Sequence, residues 1–119
     1  AIERALKAVN LVLQAGGFGV VALDFADLPL EAVRGIPFTT WLRLQRVVEG
    51  RETAVVLLGP APIARSAGGV TIQLRPVSRA RGARDVRLID GFDIEARILR
   101  ARRGMEDRQC TIDARAMAS

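Results

Sequence analysis

The stretch Phe18-Gly19-Val20-Val21-Ala22-Leu23-Asp24 decides how this chain is read. Its apolar run, with a Val-Val pair at the centre, has the composition of a strand buried on both faces, as parallel strands are. A carboxylate at the carboxyl end of such a strand points into the crevice where open α/β sheets bind ligands. In many nucleotide-binding folds that carboxylate orders the magnesium of a nucleoside triphosphate. Asp24 is therefore the candidate cofactor-binding residue. A plainer reading stands beside it, because Asp is also a common opener of the turn that Asp24-Phe25-Ala26-Asp27 would make. No phosphate-binding glycine loop accompanies the strand.

The flanking elements alternate in kind. Upstream, Ile2, Leu6, Val9 and Leu13 recur at helical spacing, with Ala5 and Val12 widening the stripe, and Gly16-Gly17 stops the helix. Downstream, Asp27-Leu28-Pro29 turns the chain, and Leu30 to Val33 form one helical turn before Gly35 and Pro37. A second amphipathic helix follows, with Thr39 or Thr40 as its cap and Trp41, Leu44, Val47 and Val48 on its inner face, ending at Gly50. Trp41 reads as a core residue. The β-branched burst Thr53-Ala54-Val55-Val56-Leu57-Leu58 then predicts another buried strand, closed by Gly59-Pro60. Helix, strand, helix, strand with short connections predicts parallel neighbours.

The pattern changes after Pro62. Val70, Ile72 and Leu74 alternate with Thr71, Gln73 and Arg75, as in a half-exposed strand. Pro76 to Asp85 reads as a basic loop, Val86 to Ile89 as a strand, and Asp90-Gly91 as a tight hairpin turn. On the returning strand Phe92, Ile94, Ala96 and Ile98 face inward, opposite Asp93, Glu95 and Arg97. A last strand is expected around Cys110 to Ala114, with Cys110 as a small buried hydrophobe. The tail is antiparallel in this reading.

Composition narrows the chemistry. With 119 residues, 50% hydrophobic and 26% charged, the chain fits one domain with a packed core. Its apolar runs are too short to cross a bilayer. A lone Cys110 excludes an internal disulfide, and the absence of His removes histidine triads and the commonest zinc sets. The sequence offers no catalytic residue and no metal-ligand cluster. Net charge is +5, and every cation except Lys7 is Arg. The second half carries most of them, which favours nucleic acid or an acidic protein surface as partner. An Arg-rich proteome, with Arg simply replacing surface Lys, explains the same bias. Phe18, Phe25, Phe38, Phe92 and Trp41 are the only aromatics, so base-stacking platforms are scarce.

Three features in order, a buried strand ending in Asp24, a Trp41-bearing helix into a second buried strand, and a β-rich tail through Ala96-Arg97-Ile98-Leu99-Arg100-Ala101-Arg102-Arg103-Gly104, resemble the second half of the RecA-like core. The nearest likeness is to the degenerate RecA relatives of the ImuA family. The expected fold is thus α/β: a partial RecA-like core with parallel central strands and helices, followed by an antiparallel tail, over residues 1–119 as one domain. The chain does not begin with Met and opens inside an α/β pattern, which reads as the carboxyl-terminal part of a longer protein.

The resemblance implies that Asp24 occupies the strand-end magnesium position. Gly59-Pro60 stands where RecA carries a γ-phosphate-sensing Gln, and the DNA-gripping loops are shortened to Pro29–Pro37 and Ala61–Gly69. It also implies a cytoplasmic, non-enzymatic accessory role in the SOS response and translesion DNA synthesis. The partners implied are an ImuB-like inactive Y-family polymerase subunit and an error-prone C-family polymerase, with RecA and single-stranded DNA as further contacts. No cofactor is required for that role. The alternative is a fragment of a RecA-type, nucleotide-dependent DNA-binding ATPase, with Asp24 on magnesium and Arg102 or Arg103 reaching a neighbour's phosphates. Arg79, Arg81, Arg84, Arg102 and Arg103 are the candidate nucleic-acid contacts. Sheet edges and apolar faces left open by the missing part would make the fragment self-associate.

Overall fold

A computed structural model of the chain describes residues 1–67, 69–77, 91–101 and 108–115. The chain divides into two compact units, Ala1–Gly68 and Gly69–Ser119.

The first unit begins with α1 (Ile2–Ala15), whose apolar stripe buries Leu13 completely. Gly16 ends it at φ 72° and ψ −175°, a region essentially reserved for glycine. The stop expected at Gly16-Gly17 is present, as an extended, positive-φ exit rather than a left-handed αL cap. Two hydrogen bonds close the helix end: the Gly16 N–H donates to the Val12 carbonyl at 3.2 Å, and Arg51 Nη1 donates to the Leu13 carbonyl at 2.6 Å. Both acceptors belong to the last-turn carbonyls that a helix cannot satisfy itself.

Strand β1 (Val20–Asp24) runs parallel to β2 (Ala54–Leu58), with Val21 opposite Val55, Leu23 opposite Leu57 and Asp24 opposite Leu58. Between them lie α2 (Leu30–Arg34) and α3 (Phe38–Val48). The parallel neighbours expected from the element order are present. Thr39 and Thr40 do not cap α3. Pro37, with φ −58°, already occupies the cap position, so both threonines fall inside the first turn.

The core gathers Leu23, Phe25, Val33, Ile36, Trp41 and Ala67, with Val21, Val55 and Leu57 packed against it. All the strand positions in that group lie on one side of the sheet. On the other side Val20, Val56 and Leu58 are 63%, 41% and 46% exposed. The expectation of strands buried on both faces is corrected: each contributes alternate residues to the core and leaves the rest bare. Apolar composition records what a strand can bury; neighbouring elements decide what it does bury. Among the described residues each of the two strands also keeps one edge unpaired.

The second unit is an antiparallel sheet in the order β3 (Val70–Val77), β4 (Gly91–Ala101), β5 (Gln109–Arg115). β3 runs through Pro76 and Val77, two residues beyond the expected loop boundary, and Pro76 is tolerated because β3 is an edge strand among the described residues. Pairing of Ile72 with Ile98, Leu74 with Ala96, and Ile94 with Ile112 puts the apolar residues of all three strands on one face. The alternation is as expected, but the cover is not: Val70, Ile72, Leu74 and Ile112 are 46–59% exposed. Cys110, opposite Ala96 on that face, is likewise exposed rather than buried. Asp93, expected outside, is buried opposite Asp113, and neither carboxylate is without an interaction. Glu95 sits opposite Arg75 on the polar face. The expected strand Val86–Ile89, the loop from residue 78, the Asp90 half of the hairpin turn and the side chain of Phe92 lie outside the described residues.

Candidate functional site

Ligands of open α/β sheets collect where the chain leaves the carboxyl ends of parallel strands. Asp24 stands at that end of β1, exposed, beside Leu58 at the end of β2. The ladder continues one step further, the Phe25 N–H donating to the Leu58 carbonyl at 2.8 Å. Asp24 Oδ1 accepts the Ala26 N–H at 2.9 Å. This is the local side-chain turn by which Asp bends a chain leaving a strand. Both sequence readings therefore meet in one residue, which lies at the strand tip and also opens the turn. Among the described residues no group of three acidic, Cys or His side chains gathers in a metal-ligating arrangement.

The segments that follow the two strands enclose a small cleft. Leu30, Val33, Arg34 and Ile36 come from the β1 side, Pro62, Ile63 and Arg65 from the β2 side, and Trp41 from α3. Its volume is about 30 Å³, and Val33, Ile36 and Trp41 are buried. Arg34 and Arg65 are exposed, and no carboxylate lines the cleft. Arg65 adopts φ 50°, alone in positive φ among the described non-glycine residues. Gly59 matters here too: a Cβ at that position would stand 2.6 Å from Ile63 Cδ1. The close turn after β2 thus fits a glycine against a residue of the cleft.

A larger and shallower recess of about 400 Å³ lies at the opposite, amino ends of the strands. Gly16, Gly17, Phe18 and Gly19 form one wall and Arg51, Glu52 and Thr53 the other. Two of its polar side chains serve the fold: Arg51 holds the Leu13 carbonyl, and Thr53 Oγ1 donates to the Phe18 carbonyl at 2.6 Å. This recess splices α1 onto β1 and offers no converging reactive side chains. We place the functional interest at the carboxyl ends.

Arg79, Arg81, Arg84, Arg102 and Arg103, the expected nucleic-acid contacts, lie outside the described residues. Of the described tail arginines, Arg75 faces Glu95 across the strands, and Arg97 lies between Gln73 and Gln109. Trp41, at 3% exposure, is the core residue its helix position predicted. The sequence carries no sign that Arg34 and Arg65 form a pair, since nothing in the intervening residues says that α2 and the segment after β2 converge. Among the described residues no helix is long and apolar enough to cross a membrane. Compared with known proteins, the sequence matches no family model and no curated protein.

Proposed function

We propose that this chain is a non-enzymatic accessory protein of damage-induced mutagenesis, a partial RecA-like core of the ImuA type that contacts an inactive Y-family polymerase subunit during translesion DNA synthesis. The observation that carries the reading is the bare apolar side of the parallel pair, where Val20, Val56 and Leu58 face solvent. Parallel sheets are stable with both faces covered, so such a surface belongs under another element. A motor core reduced to a platform for protein contacts leaves that kind of surface. The element order supports the same reading: helix, strand ending in Asp24, Trp41-bearing helix, parallel strand, antiparallel sheet. So does Gly59-Pro60 at the end of β2, which carries no polar side chain to sense a phosphate.

One observation favours the second reading, a nucleotide-dependent ATPase fragment. Asp24 sits at the tip of a parallel strand, where a magnesium-ordering carboxylate belongs. Co-expression with an inactive Y-family polymerase subunit, followed by size-exclusion chromatography, separates the two. A stable complex together with no ATP hydrolysis in magnesium supports the accessory role. Absence of a complex, with hydrolysis that Asp24→Ala abolishes, assigns the chain to the motor class instead.

A further inference from the structure

The cleft between α2, α3 and the turn after β2 combines two features. Its floor is apolar and fixed, formed by Val33, Ile36 and Trp41 at 3%, 8% and 3% exposure, with Ile63 beside them. Its lining adds two cations, Arg34 and Arg65, and no acid. Among the described residues neither arginine is held in an ion pair, so their charge is available to a visitor. Arg65 is kept at φ 50°, a conformation that a non-glycine residue adopts at a cost and that recurs where a side chain is aimed for function.

We propose that this cleft docks an acidic, apolar peptide segment of a protein partner, with one aliphatic side chain between Leu30, Pro62 and Ile63, above buried Trp41, and flanking carboxylates on Arg34 and Arg65. Charge complementarity selects the occupant. Two guanidiniums in a lining that holds no carboxylate match an acidic segment, to which Arg offers two-pronged contacts. Single-stranded nucleic acid fits less well, because buried Trp41 presents no open ring face for a base to stack on. A volume of about 30 Å³ has room for the tip of an aliphatic side chain. The inference stands apart from the polymerase reading, since it needs only the chemistry of the cleft.

Trp41 is the sole tryptophan, so its fluorescence and its indole N–H resonance report on the cleft directly. The probe is the acetylated, amidated tripeptide glutamyl-leucyl-aspartate, titrated into the whole chain. We expect a saturable change in both signals that added salt weakens. Arg34→Gln and Arg65→Asn each reduce the affinity about two- to fivefold, as partly exposed charge contacts do. Asn is chosen at 65 because it tolerates positive φ. Arg43→Gln removes the same charge from an exposed position of α3 that does not line the cleft, and leaves binding unchanged. The proposal is overturned by no saturable change at millimolar peptide, or by an equal response to lysyl-leucyl-lysine. Equal weakening by Arg43→Gln, or an oligothymidylate that shifts Trp41 where the acidic peptide does not, overturns it too.

Discussion

The rings of Phe25 and Trp41 meet edge to face, centroids 6.2 Å apart and planes at 86°. Phe25 is the first residue beyond β1, and Trp41 lies in the first turn of α3, so this contact ties the strand exit to the helix that returns the chain to β2. Both rings are 3% exposed. Trp41→Ala and Phe25→Ala should each cost about 3–5 kcal/mol, enough to unfold much of the first unit. Trp41→Phe keeps an aromatic edge and should cost clearly less. Chemical denaturation of the three variants, plus the double mutant, measures the contact itself, with a coupling of about 0.5–1.5 kcal/mol expected. Additive losses would mean that the rings only fill space.

Thr53 is buried at 8% and its hydroxyl donates to the Phe18 carbonyl at 2.6 Å, locking the entry to β1 against the entry to β2. Thr53→Val keeps the shape and strands that carbonyl, a loss of about 1–3 kcal/mol. Thr53→Ser keeps the donor and should retain most of the stability. A valine variant as stable as the serine one would show that the hydrogen bond contributes nothing net.

Gly16 and Gly19 have equally open surroundings, since a Cβ added at either would meet nothing within 4 Å, yet only Gly16 has positive φ. Gly16→Ala should therefore destabilise by about 1–3 kcal/mol through the backbone alone. Gly19→Ala should be neutral or slightly stabilising, because it restricts the unfolded chain. Thermal melts of the two variants make the comparison, and similar losses at both would contradict it.

Leu23 and Leu74 are both strand leucines, 6% and 59% exposed. Leu23→Ala should cost about 2–5 kcal/mol. Leu74→Ser should cost under about 1 kcal/mol, because much of the side chain is already in water. It should also lower any self-association that uses the apolar face of the antiparallel sheet. Sedimentation of wild type against Leu74→Ser reads the second effect, and Val56→Ser tests the parallel pair in the same way.

Much of the local structure was legible in the residues, because periodicity is a local property. The 3.6-residue stripe Ile2-Leu6-Val9-Leu13, the run into Asp24, the burial of Trp41 and the alternation Val70-Ile72-Leu74 all appear as elements where expected. What failed concerns cover. An apolar side chain at Val56, Ile72 or Cys110 states a capacity for burial, while the element that would lie over it is a long-range matter. The N-terminal cap of α3 failed for a smaller reason, Pro37 starting the helix before the threonines could. The cleft was invisible because it depends on the positive φ of Arg65 and on the end of α2 meeting the segment after β2, 31 positions apart from Arg34 to Arg65.

Asp24 separates turn-making from metal-holding in one experiment. Its Oδ1 accepts the Ala26 N–H at 2.9 Å. An Asn carbonyl can accept the same bond, so Asp24→Asn should keep wild-type stability, whereas Asp24→Ala should lose about 0.5–1.5 kcal/mol. A magnesium site would respond differently. Asn lacks the charge that a hard divalent cation requires, and a ligand that binds the folded state raises the melting temperature. Melts of the three proteins with and without magnesium and ATP should show the same order throughout, with no increment specific to Asp24. A magnesium-dependent rise in wild type that vanishes in Asp24→Asn would instead mark the carboxylate as part of a working nucleotide site.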